Sequence, residues 1–354
     1  MDCKLILVTG GLGFIGKHFV KRCLELGHFV TNVDVVNYAA DRFANEGFLR
    51  HPNYRHIAED IAALGHLPDS DVIVNFAAES HVDNSIVDNQ QFCYSNILGV
   101  QRLLELVRVK NPHEAPLFVQ ISSDEVYGDI ANGRHSECDP MRPSNPYSAT
   151  KAAADMLVLG WARTYGLRYN IVRMTNNYGP FQYPEKLIPK SILRMRRGLP
   201  ALMHGDGSYV RSWVHVADAA EALLTILDKG ERNTVYNVRG DDELPNIDVL
   251  RKLARILNRS ESEAFVSVPN RVGQDIRYSL DDSRLRALGW QPTRVFDEEL
   301  TKIAVDDDFM RFLGGNSFAP YQSDGFGATE VAAEYDFKHF LSERATMIHQ
   351  ESRR

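Results

Sequence analysis

Short, wholly apolar runs separated by amphipathic stretches set the rhythm of the first half of the chain. Residues 4–9 (KLILVT) are a continuous apolar run of the kind a strand buried on both faces requires. Residues 10–16 read as a turn, 17–26 as a helix and 29–34 as a second strand. Further apolar runs at 72–76, 117–121 and 169–173 alternate with helical spacing around 96–109 and 149–165. Strands separated by helices of this length imply right-handed βαβ units. The expected fold class is therefore α/β, a Rossmann-like doubly wound parallel sheet.

The second half is less regular. It offers a polar loop at 176–184, a helix at 187–197, a turn at 205–207, a strand end running into a helix at 212–227, a short strand at 234–238 and a helix at 250–257. This pattern predicts a core of residues 1–175, to which part of 206–236 returns. A smaller, discontinuous lobe comes mainly from 176–205 and 237–312. Residues 313–354 form a C-terminal extension. Gly314, Gly315, Pro320, Gly325 and Gly327 punctuate its linker-like start, and Phe337, Phe340, Leu341, Ala345 and Ile348 share one helical face. That face is expected to cover the same subunit or a partner.

Composition narrows the classes. Forty basic against 47 acidic residues give a net charge of −7, which offers no broad attraction to nucleic acid or an anionic membrane. The tight basic knot of Arg194, Arg196 and Arg197 reads as a solvated helix surface. Cys3, Cys23, Cys93 and Cys138 are too widely spaced for a disulfide framework or a zinc site, so no metal is expected. Cys3 and Cys23 read as small buried apolar residues. With no signal-like stretch and no apolar run long enough to span a bilayer, the expected compartment is the cytoplasm.

Chemistry enters at the ends of the predicted strands. In TGGLGFIG, Gly10, Gly13 and Gly16, with Phe14 and Ile15, join the first strand to the first helix. A side chain at these glycines would crowd a pyrophosphate, and the helix N-terminus offers it unpaired amides. Asp34 ends the second strand, where its carboxylate would bind both ribose hydroxyls and repel a 2'-phosphate, favouring NAD over NADP. Asp60 and Ile61 would frame the adenine or simply turn the chain, and Ala77 and Ala78 leave room for a cofactor.

Tyr147 and Lys151 form a YxxxK pair that a helix places on one face. The lysine cation favours tyrosinate and would bind the nicotinamide ribose, which makes the phenol a usable base. Ser123 would hydrogen-bond the oxygen whose carbon gives up hydride, while Ser122 reads as a turn residue. Asn96 would order a helix or a proton-relay water near the cofactor. Asp124 and Glu125 follow Ser123 directly. A carboxyl pair with opposite protonation states would remove one proton and donate another, more acid–base equipment than alcohol oxidation needs.

Together these motifs resemble the nucleotide-sugar 4,6-dehydratases of the extended short-chain dehydrogenase/reductase family, the dTDP-glucose enzymes above all. The matching pieces are GGLGFIG, FAAESHVDNSI (76–86), SSDEVYG (122–128), NPYSATKAAAD (145–155), NNYGPFQYPEKLIP (176–189), GDGSYVRSWVHVAD (205–218), NRVGQDIRYSLD (270–281) and LGWQP (288–292). The resemblance implies tightly held NAD+, regenerated in each cycle and touched also by Asn176. Tyr147 would be the base at the sugar 4-hydroxyl, Glu125 the base at C5 and Asp124 the acid at C6. It further implies Glu79, Ser123 and Asn177 around the hexose, Lys186, Arg211 and Arg271 at the diphosphate, His204 and Asn237 at the nucleotide, and a homodimer.

Four positions depart from the family pattern. Lys17 replaces a small residue, Val35 stands where a lysine often lies, His204 replaces a tyrosine and Gln274 a histidine, while Ser123 keeps the hydroxyl of the usual threonine. The residues leave open a UDP-sugar, a 4-epimerase using the same Tyr147 and Lys151, and a non-catalytic NAD-sensing protein.

Overall fold

The computed structural model describes residues 3–110 and 115–314. The extension from residue 315, with its expected helical face, lies outside the described residues.

Seven parallel strands make the main sheet: β1 (Leu5–Thr9), β2 (Phe29–Val33), β3 (Tyr54–Ile57), β4 (Val72–Asn75), β5 (Leu117–Ser123), β6 (Tyr169–Met174) and, later in the chain, β10 (Thr234–Val238). Their spatial order is β10-β6-β5-β4-β1-β2-β3. The chain thus winds outward from β1 through β2 and β3, then returns to β4 on the opposite side of β1. The C-terminal ends of β1 and β4 splay apart there, which is where doubly wound sheets bind ligands.

Both faces of the sheet are buried, and the side chains alternate accordingly. Ile6 and Val8 pack with Phe19, Val20 and Cys23 of the Phe14–Glu25 helix and with Leu223 of the Val216–Lys229 helix. Leu7 and Ile73 point the other way, onto Leu103 and Leu104 of the Gly99–Arg108 helix and Val158 of the Pro146–Tyr165 helix. This burial on both sides accounts for the unbroken apolar runs in the sequence.

The remaining strands build two small sheets. β7 (Asn176–Tyr178), β9 (Val210–His215) and β11 (Asp242–Pro245) form one, and β8 (Ala201–His204) with β12 (Phe265–Val268) forms the other. They share a separate core of Ile188, Ile192, Trp213, Leu250, Leu253, Phe296 and Phe309.

Several expectations are corrected. The polar loop at 176–184 opens with a strand, because Asn176–Tyr178 pairs with Trp213–His215. Cys23 is buried, but Cys3 is exposed because it precedes the first strand. Arg194 is buried, its Nε donating to the Pro200 carbonyl at 2.7 Å, so only part of the basic knot is solvated.

Candidate active site

A cavity of about 400 Å³ occupies the crevice beyond β1 and β4. Its floor is the glycine turn. Gly10 adopts a left-handed conformation (φ +66°), and a Cβ there would lie 2.6 Å from the Ala77 amide nitrogen. A Cβ on Gly16 would run into the Gly10 carbonyl. The Phe14–Glu25 helix starts at Gly13 with neither a side-chain cap nor an acidic residue in its first turn. Its leading amides are therefore available to an anion.

Asp34 ties this turn to the end of β2. Its carboxylate accepts from the Leu12 amide at 3.0 Å and the Val36 amide at 2.9 Å, and burial raises its pKa. Asp34 lines the cavity together with Phe14, Ile15, Asp60, Ile61, Ala77, Ala78 and Asn176. A glycine cradle, an uncapped helix N-terminus and a carboxylate at the second strand end are a donor set that fits a dinucleotide.

At the other end of the cavity stand Ser123, Asp124, Glu125, Tyr147 and Lys151. Ser123 ends β5, and its Oγ accepts from the Glu125 amide at 3.2 Å, starting a 3-10 turn over Asp124–Tyr127. Tyr147 and Lys151 lie in the first turns of the Pro146–Tyr165 helix, which Asn145 caps in a capping box with Ser148. Asn145 also reaches into the site, its Nδ2 donating to Glu125 Oε2 at 3.1 Å.

Burial dominates the electrostatics of this end. Asp124 has its pKa pushed up to about 8, first by desolvation and then by the neighbouring Glu125 carboxylate, with Arg211 opposing. Its Oδ2 is buried without a hydrogen-bond partner. Tyr147 is pushed upward by burial and by Glu125, against a hydrogen bond from Ser123. Lys151 is lowered to about 8 by burial, while Asp155 works to keep it charged, and its ammonium donates to the Ile121 carbonyl at 2.6 Å. Desolvation and the neighbouring carboxylates thus dominate the setting of the phenol.

Asp155, one helical turn beyond Lys151, is fully buried, accepting from Arg173 Nε at 2.9 Å and Ser122 Oγ at 3.0 Å. Ser122 therefore serves this network. The i,i+4 spacing from Lys151 was the available signal for Asp155, as the Asn-Pro-x-Ser cap was for Asn145.

The predicted ligands Glu79, Asn177 and Lys186 line the cavity. Burial raises the Glu79 pKa, Glu185 adding to the rise and Lys186 opposing it. Five predicted residues do not line it. Asn96 is spent on scaffolding: it accepts from the Glu79 amide at 2.8 Å and donates to the Glu79 carbonyl and Thr150 Oγ1. Asn237 is fully buried, donating to the His135 and Asp281 carbonyls and accepting from Tyr127. Arg211 turns inward, donating to the Val210, Asp275 and Ile276 carbonyls and stacking over Tyr278 at 4.4 Å. His204 brings Nδ1 within 2.9 Å of the Pro269 carbonyl, and Arg271 is ion-paired with Asp83. Each is held by partners supplied by the fold.

A family model described as the NAD dependent epimerase/dehydratase family matches residues 6–238. The low-salt glycan biosynthesis protein Agl12 of Haloferax volcanii is 43% identical over 300 residues, 83% of this chain and 96% of that protein. A dTDP-glucose 4,6-dehydratase of Mycobacterium tuberculosis is 38% identical over 335 residues, 90% of this chain and 99% of its own. Among solved structures, DesIV, the dTDP-glucose 4,6-dehydratase of Streptomyces venezuelae with NAD bound, superposes with a TM-score of 0.82. It is 36% identical, and the match covers 87% of this chain and 97% of that one.

Proposed function

The chain belongs to the NAD dependent epimerase/dehydratase family, and from that premise we propose that it is an NAD-dependent nucleotide-sugar 4,6-dehydratase. Its substrate is an NDP-hexose, dTDP-glucose first, and its product a 4-keto-6-deoxy sugar nucleotide. The observation that carries this reading is the Asp124–Glu125 pair in the same cavity as Tyr147. A 4-epimerase has no step that uses a buried, protonated carboxyl beside a second carboxylate.

Tyr147 removes the proton of the sugar 4-hydroxyl, Ser123 holds the same oxygen and Lys151 supplies the local positive charge. The glycine turn and Asp34 would hold NAD, which when bound would supply the redox chemistry needed at C4 and C6. The C4 ketone acidifies the C5 hydrogen by giving the carbanion charge a place to go, and Glu125 takes that proton. Asp124, its pKa raised to about 8, is protonated at neutral pH and delivers its proton to the C6 hydroxyl, which leaves as water. Glu125 then returns its proton to C5. Glu79 and Asn177 hold the hexose, and Lys186 faces the phosphates. In this arrangement the core binds NAD and the lobe of 176–205 and 237–312 holds the sugar nucleotide.

The test is product analysis of purified protein incubated with NAD and, separately, dTDP-glucose, UDP-glucose and UDP-GlcNAc. The expected product is lighter by one water, with a C6 methyl group and a C4 ketone. Unchanged mass with inversion at C4 would move the assignment to an epimerase. Binding without turnover of any sugar would favour the NAD-sensing reading.

We also propose a cytoplasmic homodimer. Among the described residues no helix is long and apolar enough to cross a membrane. Tyr94, Leu98 and Met156 are 40%, 53% and 50% exposed on the adjoining helical segments of the core, an apolar face suited to a second copy. Leu98→Glu is expected to halve the mass seen by light scattering. An unchanged mass would move the interface elsewhere.

A further inference from the structure

The fold gives Lys17 an unusual setting. It is the first residue after the glycine turn and only 6% exposed. Its ammonium donates to Asp41 Oδ2 at 2.7 Å and to the Phe181 carbonyl at 2.9 Å. It also lies 4.8 Å from the centre of the Phe312 ring and 5.4 Å from that of Phe181. A buried ammonium is tolerated only where such partners replace water.

None of these partners is itself in the cavity lining, but Asp41 and Phe181 each adjoin a segment that is. The Asp41 amide donates to the Leu12 carbonyl at 2.8 Å, so the carboxylate that holds Lys17 is fastened to the glycine turn. The segment leading to Asp41 supplies Tyr38, Ala39 and Ala40 to the lining. On the far side Phe181 is followed by Gln182 and Tyr183, which also line it. Phe312 belongs to the Asp307–Gly314 helix, the last described element.

Backbone strain marks both walls. Val36 (φ +53°) and Phe181 (φ +61°) are non-glycine residues in the left-handed region. Such a conformation is unfavourable in an ordinary residue and persists only where the surroundings enforce it. At Phe181 the backbone carbonyl accepts from the Lys17 ammonium, which helps hold that conformation.

We propose that Lys17 is a positioning residue that clamps the glycine turn, the 37–41 segment and the 180–183 loop around the cavity, so that NAD is kept through successive turnovers. The inference rests on the NAD-dependent dehydratase reading. In that reaction the cofactor ends as it began and never has to leave, so a closed cavity carries no kinetic penalty at product release.

The experiment compares wild type, Lys17→Met, Asp41→Asn and the double variant. Methionine approximates the volume of lysine, and asparagine caps a helix as aspartate does, so packing and the 42–48 helix start are preserved. Bound NAD is quantified after gel filtration, and its dissociation is followed by chase of labelled NAD with unlabelled NAD. Each single variant is expected to release NAD at least tenfold faster than wild type and to become dependent on added NAD for turnover. The double variant should be no faster than the faster single, because both changes open one clamp. Dissociation within twofold of wild type in Lys17→Met overturns the proposal, as do multiplying effects in the double variant. If Lys17→Met does not fold, an unchanged rate in Asp41→Asn overturns it alone. A wild-type chain that binds no NAD refutes the cofactor reading instead, which keeps the two failures distinct.

Discussion

Tyr147→Phe is expected to leave NAD binding intact and slow the first oxidation by about 10³-fold, within the usual contribution of a positioned base. Desolvation and the Glu125 carboxylate both hold the phenol's proton on. The groups that favour its ionisation are the Ser123 hydrogen bond and the positive charge nearby. Lys151 supplies that charge below about pH 8, the value to which burial lowers its ammonium. Removing the phenolic oxygen removes the proton acceptor at the 4-hydroxyl and nothing from the glycine cradle. The measurement is NADH absorbance after rapid mixing with the sugar nucleotide, alongside NAD affinity. A burst as fast as that of wild type would exclude Tyr147 as the base.

What could be read in the sequence was what is local in the chain. The glycine turn, the Ser123–Glu125 run and the YxxxK pair each lie within a few residues. The main sheet carries all of them to one edge, because successive parallel strands end on the same side. The strand–helix alternation followed from apolar runs that burial on both faces requires. The residues that moved were those whose partners are distant in sequence. The resemblance implies Arg211 as a phosphate ligand, whereas in the fold its guanidinium donates to the distant carbonyls of Asp275 and Ile276. Asn237 and Asn96 were polar residues near a site, and only the fold shows their amides consumed by backbone groups. Asn176–Tyr178 carries no apolar alternation, so its pairing with β9 has no local signature. Lys17 was visible as a departure, but its meaning depends on Phe181, 164 positions away.

The Asp124–Glu125 pair separates dehydration from every simpler reading, and its two members should fail in opposite ways. Asp124→Asn removes the acid at C6 while leaving the C4 oxidation and the Glu125 base in place. Water loss is expected to fall by about 10²–10⁴-fold. Recovered substrate should still exchange its C5 hydrogen with deuterated solvent. Glu125→Gln should abolish that exchange and elimination together. In wild type the elimination step should weaken as pH rises past about 8, where Asp124 gives up its proton. The same raised pKa predicts a stability contribution that also falls as pH rises. An ordinary aspartate titrates near 3.8, so the folded chain holds the Asp124 proton more tightly than the unfolded chain does. Stability from this group is therefore full below about pH 4 and is lost as pH climbs toward 8. The loss is on the order of a few kcal/mol, since each pKa unit corresponds to about 1.4 kcal/mol and the cost is shared with Glu125. Asparagine cannot ionise, so the thermal midpoint of Asp124→Asn should gain on wild type between pH 5 and pH 8 (roughly the window the shift defines). A variant that loses elimination while gaining stability with pH would identify a carboxyl kept buried for its proton. Equal pH slopes in the two proteins, or normal water loss from Asp124→Asn, would remove Asp124 from the acid role.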